Sequence, residues 1–448
     1  MTSNEYRATI SLATVYAIRL IGLFMILPVF APYAQKLTSS TPALVGLALG
    51  VYGLTQASLQ IPFGMLSDRL GRKPVIILGL LIFAAGSILA ATTTSIHGMI
   101  LARLLQGGGA IGSTLSASVA DLTRDENRTK AMAIIGVVIA LSFFIAMLLG
   151  PVLVSHIQVS GIFWLATALA GVGILITLVA VPKARHPCFH CDSETIPDQL
   201  KTIINHSELF MLDIGVFLLH AILAACFIAL PIILLEKTQM TTNDQWMLYA
   251  PVLAASFLVM VPWIMWAEKK RRLKENLLVA IFIIALSQLG LWELHDHIIG
   301  IGVCLFLFLS AFSFLEATLP SLVSKIAPVR LKGTAMGAFS TAQYLGIFFG
   351  GTVSGLPLKH HNIQSLFLFG LLLAIIWLIT AASMNQPRYV STKIVHIGPK
   401  TDTELKRLRH LLMDVPGVVE VALVKGDEAA YLKINKTIFK EDILNQIL

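Results

Sequence analysis

Four ionisable residues stand inside long apolar runs of this sequence: Arg19, Arg103, His220 and Glu316. Holding such a group in hydrocarbon costs free energy, so each is a functional candidate by default. Glu316 and His220 are able to take up and release a proton as their surroundings alternate between water and protein. For His220 a packing role with satisfied ring nitrogens competes with that reading. Arg19 has two chemistries open to it: binding an anionic group, or holding a carboxylate ionised. Asp213 reads instead as a helix-end residue reaching toward the interface.

A second concentration of polar chemistry is Gly64-Met-Leu-Ser-Asp-Arg-Leu-Gly-Arg-Lys73, set between two apolar runs. It reads as a tight loop joining two membrane helices. Positive charge from Arg69, Arg72 and Lys73 fits the cytoplasmic side, and Gly64 and Gly71 let helix ends approach closely. Asp68 is placed to meet the N-terminus of a later helix around Gly333 to Gly337, whose free amides favour an anion by roughly 0.3–1 kcal/mol. Arg72 is placed to pair with Asp121, and charge pairs at helix ends suit a closure that must break and reform. A third concentration, His186-Pro-Cys-Phe-His-Cys191, offers two imidazoles and two thiols of the kind that bind zinc or copper. His186, Cys188, His190 and Cys191 nevertheless make a weak metal site. A single C-x-x-C lacks a second ligand pair, and neighbours such as His190 and Cys191 fit one ion poorly. No metal and no cofactor are expected.

The elements that position these residues follow from composition. With 56% hydrophobic and 13% charged residues in 448, the chain departs from soluble proteins, in which about 25% of residues are charged. It is a polytopic membrane protein, which excludes a soluble enzyme. The formal charge of +8 is concentrated in loops of one side and reads as topology and contact with membrane lipid, not nucleic-acid binding. The first apolar stretch, Ile10 to Tyr33, has no small-residue cleavage site and is long enough to remain as a span. Cys226 and Cys304 lie inside apolar spans, so the four cysteines give no disulfide framework.

Twelve windows before residue 386 are long enough to span, at 10–33, 43–66, 74–92, 97–120, 130–154, 161–181, 208–235, 246–266, 276–294, 298–322, 333–355 and 364–384. With both termini cytoplasmic, the inside loops hold eighteen Lys and Arg and the outside loops three. The longest inside connection divides the windows six and six, and the halves align at an offset of about 200. Pro62, Met65, Asp68, Arg69 and Arg72 then fall over Pro262, Met265, Glu268, Lys269 and Arg272, and Gly150 falls on Gly351. Such internal repeats carry substrate near their interface in many secondary transporters. Four units result: a six-helix bundle over 1–181, a cytoplasmic linker over 182–206, a second bundle over 207–386 and a soluble unit over 391–448. In the last, Lys393 to Ile397 alternates as a strand and Thr401 opens an amphipathic helix. Val418 to Val424 and Ala429 to Ile434 flank a Gly426-Asp427 turn, and Thr437 or Lys440 starts a last helix. The fold class is an all-α membrane protein of twelve transmembrane helices in two pseudo-symmetric halves, plus a small α+β (βαββα, ferredoxin-like) domain.

The spacing G-x-L-x-D-R-x-G-R-K at Gly64–Lys73 resembles the signature loop of the major facilitator superfamily. Arg103-Leu-Leu-Gln-Gly-Gly-Gly109 is similar to its second motif, and Gly150-Pro151 to its antiporter motif, with Ala146, Val154 and Ser155 replacing expected glycines. The resemblance implies that the first, fourth, seventh and tenth helices line a central cavity, which brings Arg19, Arg103, His220 and Glu316 to it. It also implies that Gly64, Asp68, Arg69, Gly71, Arg72, Lys73 and Asp121 form a conformational latch. The implied function is secondary active transport of a small-molecule substrate by alternating access, with proton-coupled export across a bacterial inner membrane. The C-terminal domain is expected to be regulatory, binding a small ligand or the chain's own transmembrane part. The alternatives are a non-transporting membrane sensor signalling through that domain, and metal efflux.

Overall fold

In hydrocarbon each backbone N–H and C=O must be satisfied within its own segment, which makes apolar runs of this length helical. The computed structural model describes residues 1–182, 197–238, 240–241, 244–270, 272–328, 331–355, 362–384, 391–398, 402–423, 429–434 and 438–439. The helices of the first half are α1 (Ser3–Phe24), α2 (Leu27–Ala34), α3 (Pro42–Leu70), α4 (Arg72–Thr92), α5 (Ile96–Gly108), α6 (Gly112–Leu122) and α7 (Asp125–Val179). A short α8 (Pro197–Ile204) precedes α9 (Ser207–Lys237), α10 (Trp246–Lys269), α11 (Leu273–Glu293), α12 (Ile298–Ile326), α13 (Lys332–Val353) and α14 (Ser365–Ala382).

Local chemistry explains where these depart from the expected windows. The first window breaks between α1 and α2, where Pro28 in the first turn of α2 has no N–H to give. The fourth is divided at Gly109, leaving α5 and α6 with 13 and 11 residues, each too short to cross alone. The fifth and sixth share α7, which turns at Gln158 (φ 59°, ψ 176°) without an intervening loop. Counting α1 with α2 as one segment and Lys130–Val179 as one, nine segments among the described residues are long and apolar enough to cross a membrane.

In the first half α1 and α4 pack on α7 and α3 packs on α5; in the second, α13 packs on α9, α11 on α14 and α10 on α12. Every residue of α9 from Leu218 to Leu234 is buried, so this helix runs through the centre. Across the seam α2 packs on α9 and α3 on α13. There glycines allow backbone to meet backbone: Gly46 and Gly53 of α3 abut the Gly351 and Tyr344 carbonyls, and a Cβ added at Gly50 would lie 2.7 Å from the Phe348 oxygen. This is the end that the sequence reading expects on the outside. Toward the opposite end the fit loosens: a Cβ at Gly64 would touch only Ser113, at 3.4 Å and beyond, and one at Gly337 nothing within 4 Å.

The C-terminal unit comprises β1 (Ser391–His396), α15 (Asp402–Met413), β2 (Val418–Leu423) and β3 (Ala429–Ile434), the strands forming one antiparallel sheet in the order β1-β3-β2. Val395, Leu408, Leu412, Val421 and Leu432 make its core, which is separate from the cores of the bundles. The expected Gly426-Asp427 turn and the start of the last helix at Thr437 or Lys440 lie outside the described residues.

Candidate functional site

Along α3, Tyr52, Gln56 and Gln60 recur at four-residue spacing and so share one helix face. That face meets Arg19 of α1, whose Nη2 donates to Gln56 Oε1 (2.5 Å) and to the Tyr52 hydroxyl (3.2 Å). Gln56 Nε2 donates onward to Gln60 Oε1 at 3.0 Å. Arg103 of α5 stands 4.9 Å from the centre of the Tyr52 ring and 5.7 Å from that of Phe30. Its Nη1 donates to Gln106 Oε1 (2.9 Å), and Gln106 Nε2 to Ser87 Oγ (2.8 Å). Tyr52 therefore bridges two guanidinium groups, offering its hydroxyl to one and its ring face to the other. Arg19 is 1% exposed and Arg103 4%, yet Nε of both and Nη1 of Arg19 make no hydrogen bond. Among the described residues neither forms an ion pair with a carboxylate. Arginine at the centre of a span costs about 2.5–3.5 kcal/mol on insertion scales. A narrow cavity opens beside the pair, with Arg103 and Tyr52 as its polar lining and Leu23, Phe24, Leu27 and Leu49 from the first half. Leu223, Ala224 and Ile347 complete it from the second.

The other two candidates meet in the second half. His220 of α9 turns its Nδ1 to the Val216 carbonyl at 3.1 Å, an atom that can only accept, so Nδ1 carries a hydrogen and, in the neutral ring, Nε2 presents a lone pair. Gln343 of α13 donates from Nε2 to that lone pair (2.9 Å) and to Glu316 Oε1 of α12 (3.1 Å), with the second Glu316 oxygen 3.5 Å from His220 Nε2. The Glu316 side chain is 33% exposed and that of His220 only 2%, so the carboxylate is the member that reaches water. Phe24, Phe143 and Phe312 form an aromatic row from the arginine cavity to His220, with successive ring centroids 5.0, 5.6 and 5.7 Å apart. The four residues singled out by sequence thus fall into two clusters, one in each half.

At the loop end of α3, Arg72 forms an ion pair with Asp68, donates from Nε to Asp121 Oδ2 (2.8 Å) and from Nη1 to Ser67 Oγ (2.6 Å). Gly71, at φ 92°, takes the sharp turn between α3 and α4 that brings Arg72 back over the loop. Arg69 is exposed and Lys73 half-buried. The repeat-related loop differs: Glu268–Lys325 (3.3 Å) and Arg272–Glu275 (3.4 Å) are mainly solvent-exposed pairs. The His/Cys segment at 186–191 lies outside the described residues. Among those described, no three His, Cys, Asp or Glu side chains are grouped to hold a metal.

Sequence reasoning missed Gln343, Gln56 and Glu5. Glu5 is 5% exposed, and its carboxylate accepts from Thr2 N (2.6 Å), Arg124 N (3.0 Å), Arg124 Nε (3.2 Å) and Asn127 Nδ2 (3.1 Å), tying the start of α1 to the start of α7. Its signal was present as the capping box Thr2-x-x-Glu5. The glutamines were detectable as polar residues recurring on one face of otherwise apolar helices.

Comparison with known proteins bears on the whole chain. The inner membrane transport protein YajR of Escherichia coli (strain K12) is 40% identical over 438 residues, 98% of this chain and 96% of that protein. The multidrug resistance protein MdtH of Photorhabdus laumondii is 27% identical over 384 residues, 82% and 90% of the two chains. A bacterial homologue of the human lysosomal transporter Spinster, solved inward-facing and occupied, superposes with a TM-score of 0.68 at 15% identity, over 86% of this chain and 98% of that one, and so shares the fold. The model of the Major Facilitator Superfamily matches residues 12–351 and 212–415, between them spanning both helical halves. With its signature loop folded around Arg72 and a near full-length relative among transport proteins, the chain belongs to the major facilitator superfamily.

Proposed function

We propose that this transporter moves a small solute outward by alternating access, coupled to protons, across twelve membrane crossings, with a regulatory ferredoxin-like domain on the cytoplasmic side. The single observation that carries the coupling is the contact of His220, Glu316 and Gln343. With Nε2 of His220 unprotonated, Gln343 holds the imidazole and the carboxylate together by donating to both. A proton on Nε2 turns that lone pair into a donor toward Glu316 and removes the acceptor for Gln343, so that Gln343 of α13 loses one of its two side-chain hydrogen bonds. Since α13 is also the helix that closes the seam on α3, proton occupancy acts on the helix that must move. The pairs of Arg72 with Asp68 and Asp121 serve as the latch of the opposite side, with Gly64, Arg69, Gly71 and Lys73 shaping the loop. Twelve crossings follow when α1 with α2, and α5 with α6, each count as one and α7 as two. The sheet order β1-β3-β2 supports a ferredoxin-like domain, and the name of the MdtH relative supports export.

Everted membrane vesicles energised to an internal acid pH test the coupling through a pH-sensitive dye. Adding a transported solute is expected to dissipate the gradient with the native chain, and Glu316→Gln to reduce that response by more than about tenfold, the loss usual for an essential proton-transfer group. Full dissipation in Glu316→Gln removes the cluster from the coupling.

The C-terminal domain touches the same machinery. Lys433 of β3, 5% exposed, donates to the carbonyls of Ala327 (2.5 Å) and Ile326 (3.2 Å) at the end of α12 and pairs with Glu420 (3.2 Å). A cation on the last carbonyls of a helix is favourable, and α12 is the helix that carries Glu316. Because the cores are separate, removing residues 391–448 is expected to leave the melting temperature of the bundles unchanged while shifting the pH dependence of the vesicle response, and Lys433→Ala to reproduce the shift. Collapse of the bundles on deletion would instead make the tail a structural part.

A further inference from the structure

We propose that the cavity between the halves, closed down to about 20 Å³ in this arrangement, takes on opening an amphipathic organic anion: an apolar body carrying one carboxylate-type head group, held at Arg103 with Arg19 behind it. The inference rests on the transporter reading and specifies its substrate class. Both guanidinium groups are at least nine-tenths buried, and among the described residues neither is matched by a carboxylate, so the protein supplies positive charge that it does not itself neutralise. Three guanidinium nitrogens, carrying four N–H bonds between them, make no geometrically ideal hydrogen bond: Nε of Arg103 and Nε and Nη1 of Arg19, the Arg19 group facing also the Tyr344 hydroxyl. Two oxygens of a single head group present enough lone pairs for these. Four such N–H bonds are too few to replace the hydration of a phosphate or other polyanion, and a cation would meet like charge.

The remainder of the cavity defines the body. Apart from Arg103 and Tyr52 its lining is hydrocarbon or ring, so a polar body would lose hydrogen bonds on entering. Leu23 follows Arg19 by one turn of α1, so the helix face that presents the charge presents part of the apolar wall beside it, and Leu27 adds to that wall from the start of α2. Leu223, Ala224 and Ile347 come from the other half, so the body touches both units while the head group touches only the first. Such a ligand is sensed by the relative position of the halves, as alternating access requires. The competing account is that Tyr52, Phe30 and the glutamines satisfy both arginines as a packing device, in which case ligand charge is immaterial.

Thermal unfolding of the purified full-length chain with octanoate, octylammonium and 1-octanol separates these, since the three share one body and differ in head group. Octanoate is expected to raise the melting temperature above the effect of 1-octanol, and octylammonium to give no rise. Arg103→Gln should weaken octanoate by more than about tenfold, with Arg103→Lys recovering part of the loss. Equal stabilisation by octylammonium or 1-octanol, or an octanoate shift that survives Arg103→Gln, overturns the proposal; if Arg103→Gln fails to fold, the head-group comparison on the native chain decides alone. Two further carboxylates distinguish the source: response to 4-butylbenzoate without palmitate marks a soluble anion, and palmitate alone a lipid-derived one, both upholding the site. Octanoate binding with no gradient-linked response in vesicles would remove coupled transport and leave the anion site standing. A gradient-linked response to octylammonium but not octanoate would do the reverse.

Discussion

Asp121→Ala will destabilise the membrane domain by about 2–3 kcal/mol. Removing one partner of a buried ion pair costs about 3–5 kcal/mol, because the survivor keeps its desolvation penalty and loses its compensation. Here the side chains are 13% exposed for Arg72 and 5% for Asp121, and their bond is a charge-assisted one of 2.8 Å. Arg72 retains Asp68 and Ser67 after the substitution, so the expected cost falls to the bottom of that range or just below it. Denaturant unfolding in mixed micelles measures it, with Arg69→Ala as the control for a charge in the same loop that is exposed and should change stability by less than about 0.5 kcal/mol. The double substitution Arg72→Ala with Asp121→Ala should show a coupling energy above about 1 kcal/mol. Strict additivity, with Asp121→Ala no worse than Arg69→Ala, would reduce the pair to a marker of membrane orientation.

Helices were legible in the sequence because hydropathy alone sets them: α9 to α12 begin and end within four residues of the windows at 208–235, 246–266, 276–294 and 298–322. The breaks inside other windows were not. A proline near Met25 or a glycine run at 107–109 is compatible with a continuous helix, and packing decides otherwise. Legibility of the site followed the same division. Charges inside apolar runs announce themselves by cost, which brought out Arg19, Arg103, His220 and Glu316. Their grouping did not, since it depends on which helices face each other. Gln343 stayed hidden because an amide in a span carries no charge, although it is the group that bridges His220 and Glu316.

The two clusters also divide the work between the halves. Fixed positive charge sits in the first, where arginine stays protonated at any physiological pH and so suits a binding role. Titratable charge sits in the second, joined through Gln343 to the helix that closes the seam. The coupled transport proposed above needs both kinds of site, and the aromatic row from Phe24 to Phe312 gives them a shared wall.

Gly350→Val is expected to abolish recovery of monodisperse protein, the largest effect of any single substitution considered. A Cβ at Gly350 would lie 2.7 Å from the Ala221 Cα and 2.8 Å from its carbonyl carbon, and one at Gly346 2.9 Å from that of Phe217. These atoms belong to the backbone of α9, so no change of side-chain rotamer relieves the clash and α13 must move away as a body. Overpacking costs about 1–3 kcal/mol where side chains can adjust, and more where they cannot. In a membrane, close backbone approach is itself a main source of helix association, so the displaced helix loses what held it. Gly150 repeats the arrangement in the first half, where its Cβ would press on the Met25 carbonyl at the break between α1 and α2. Gly150 thus makes in its half the kind of contact that Gly346 and Gly350 make in the other, while a Cβ at Gly351 would face Gly50 across the seam at 2.9 Å. Gly150→Val should fail in the same way. Gly136→Val and Gly337→Val are the controls: both are helical, and an added Cβ meets nothing within 4 Å. Size-exclusion profiles of the four variants in detergent give the answer. Normal recovery of Gly350→Val would mean that α9 and α13 do not pack backbone to backbone, and with that the route from Gln343 to the seam would be lost.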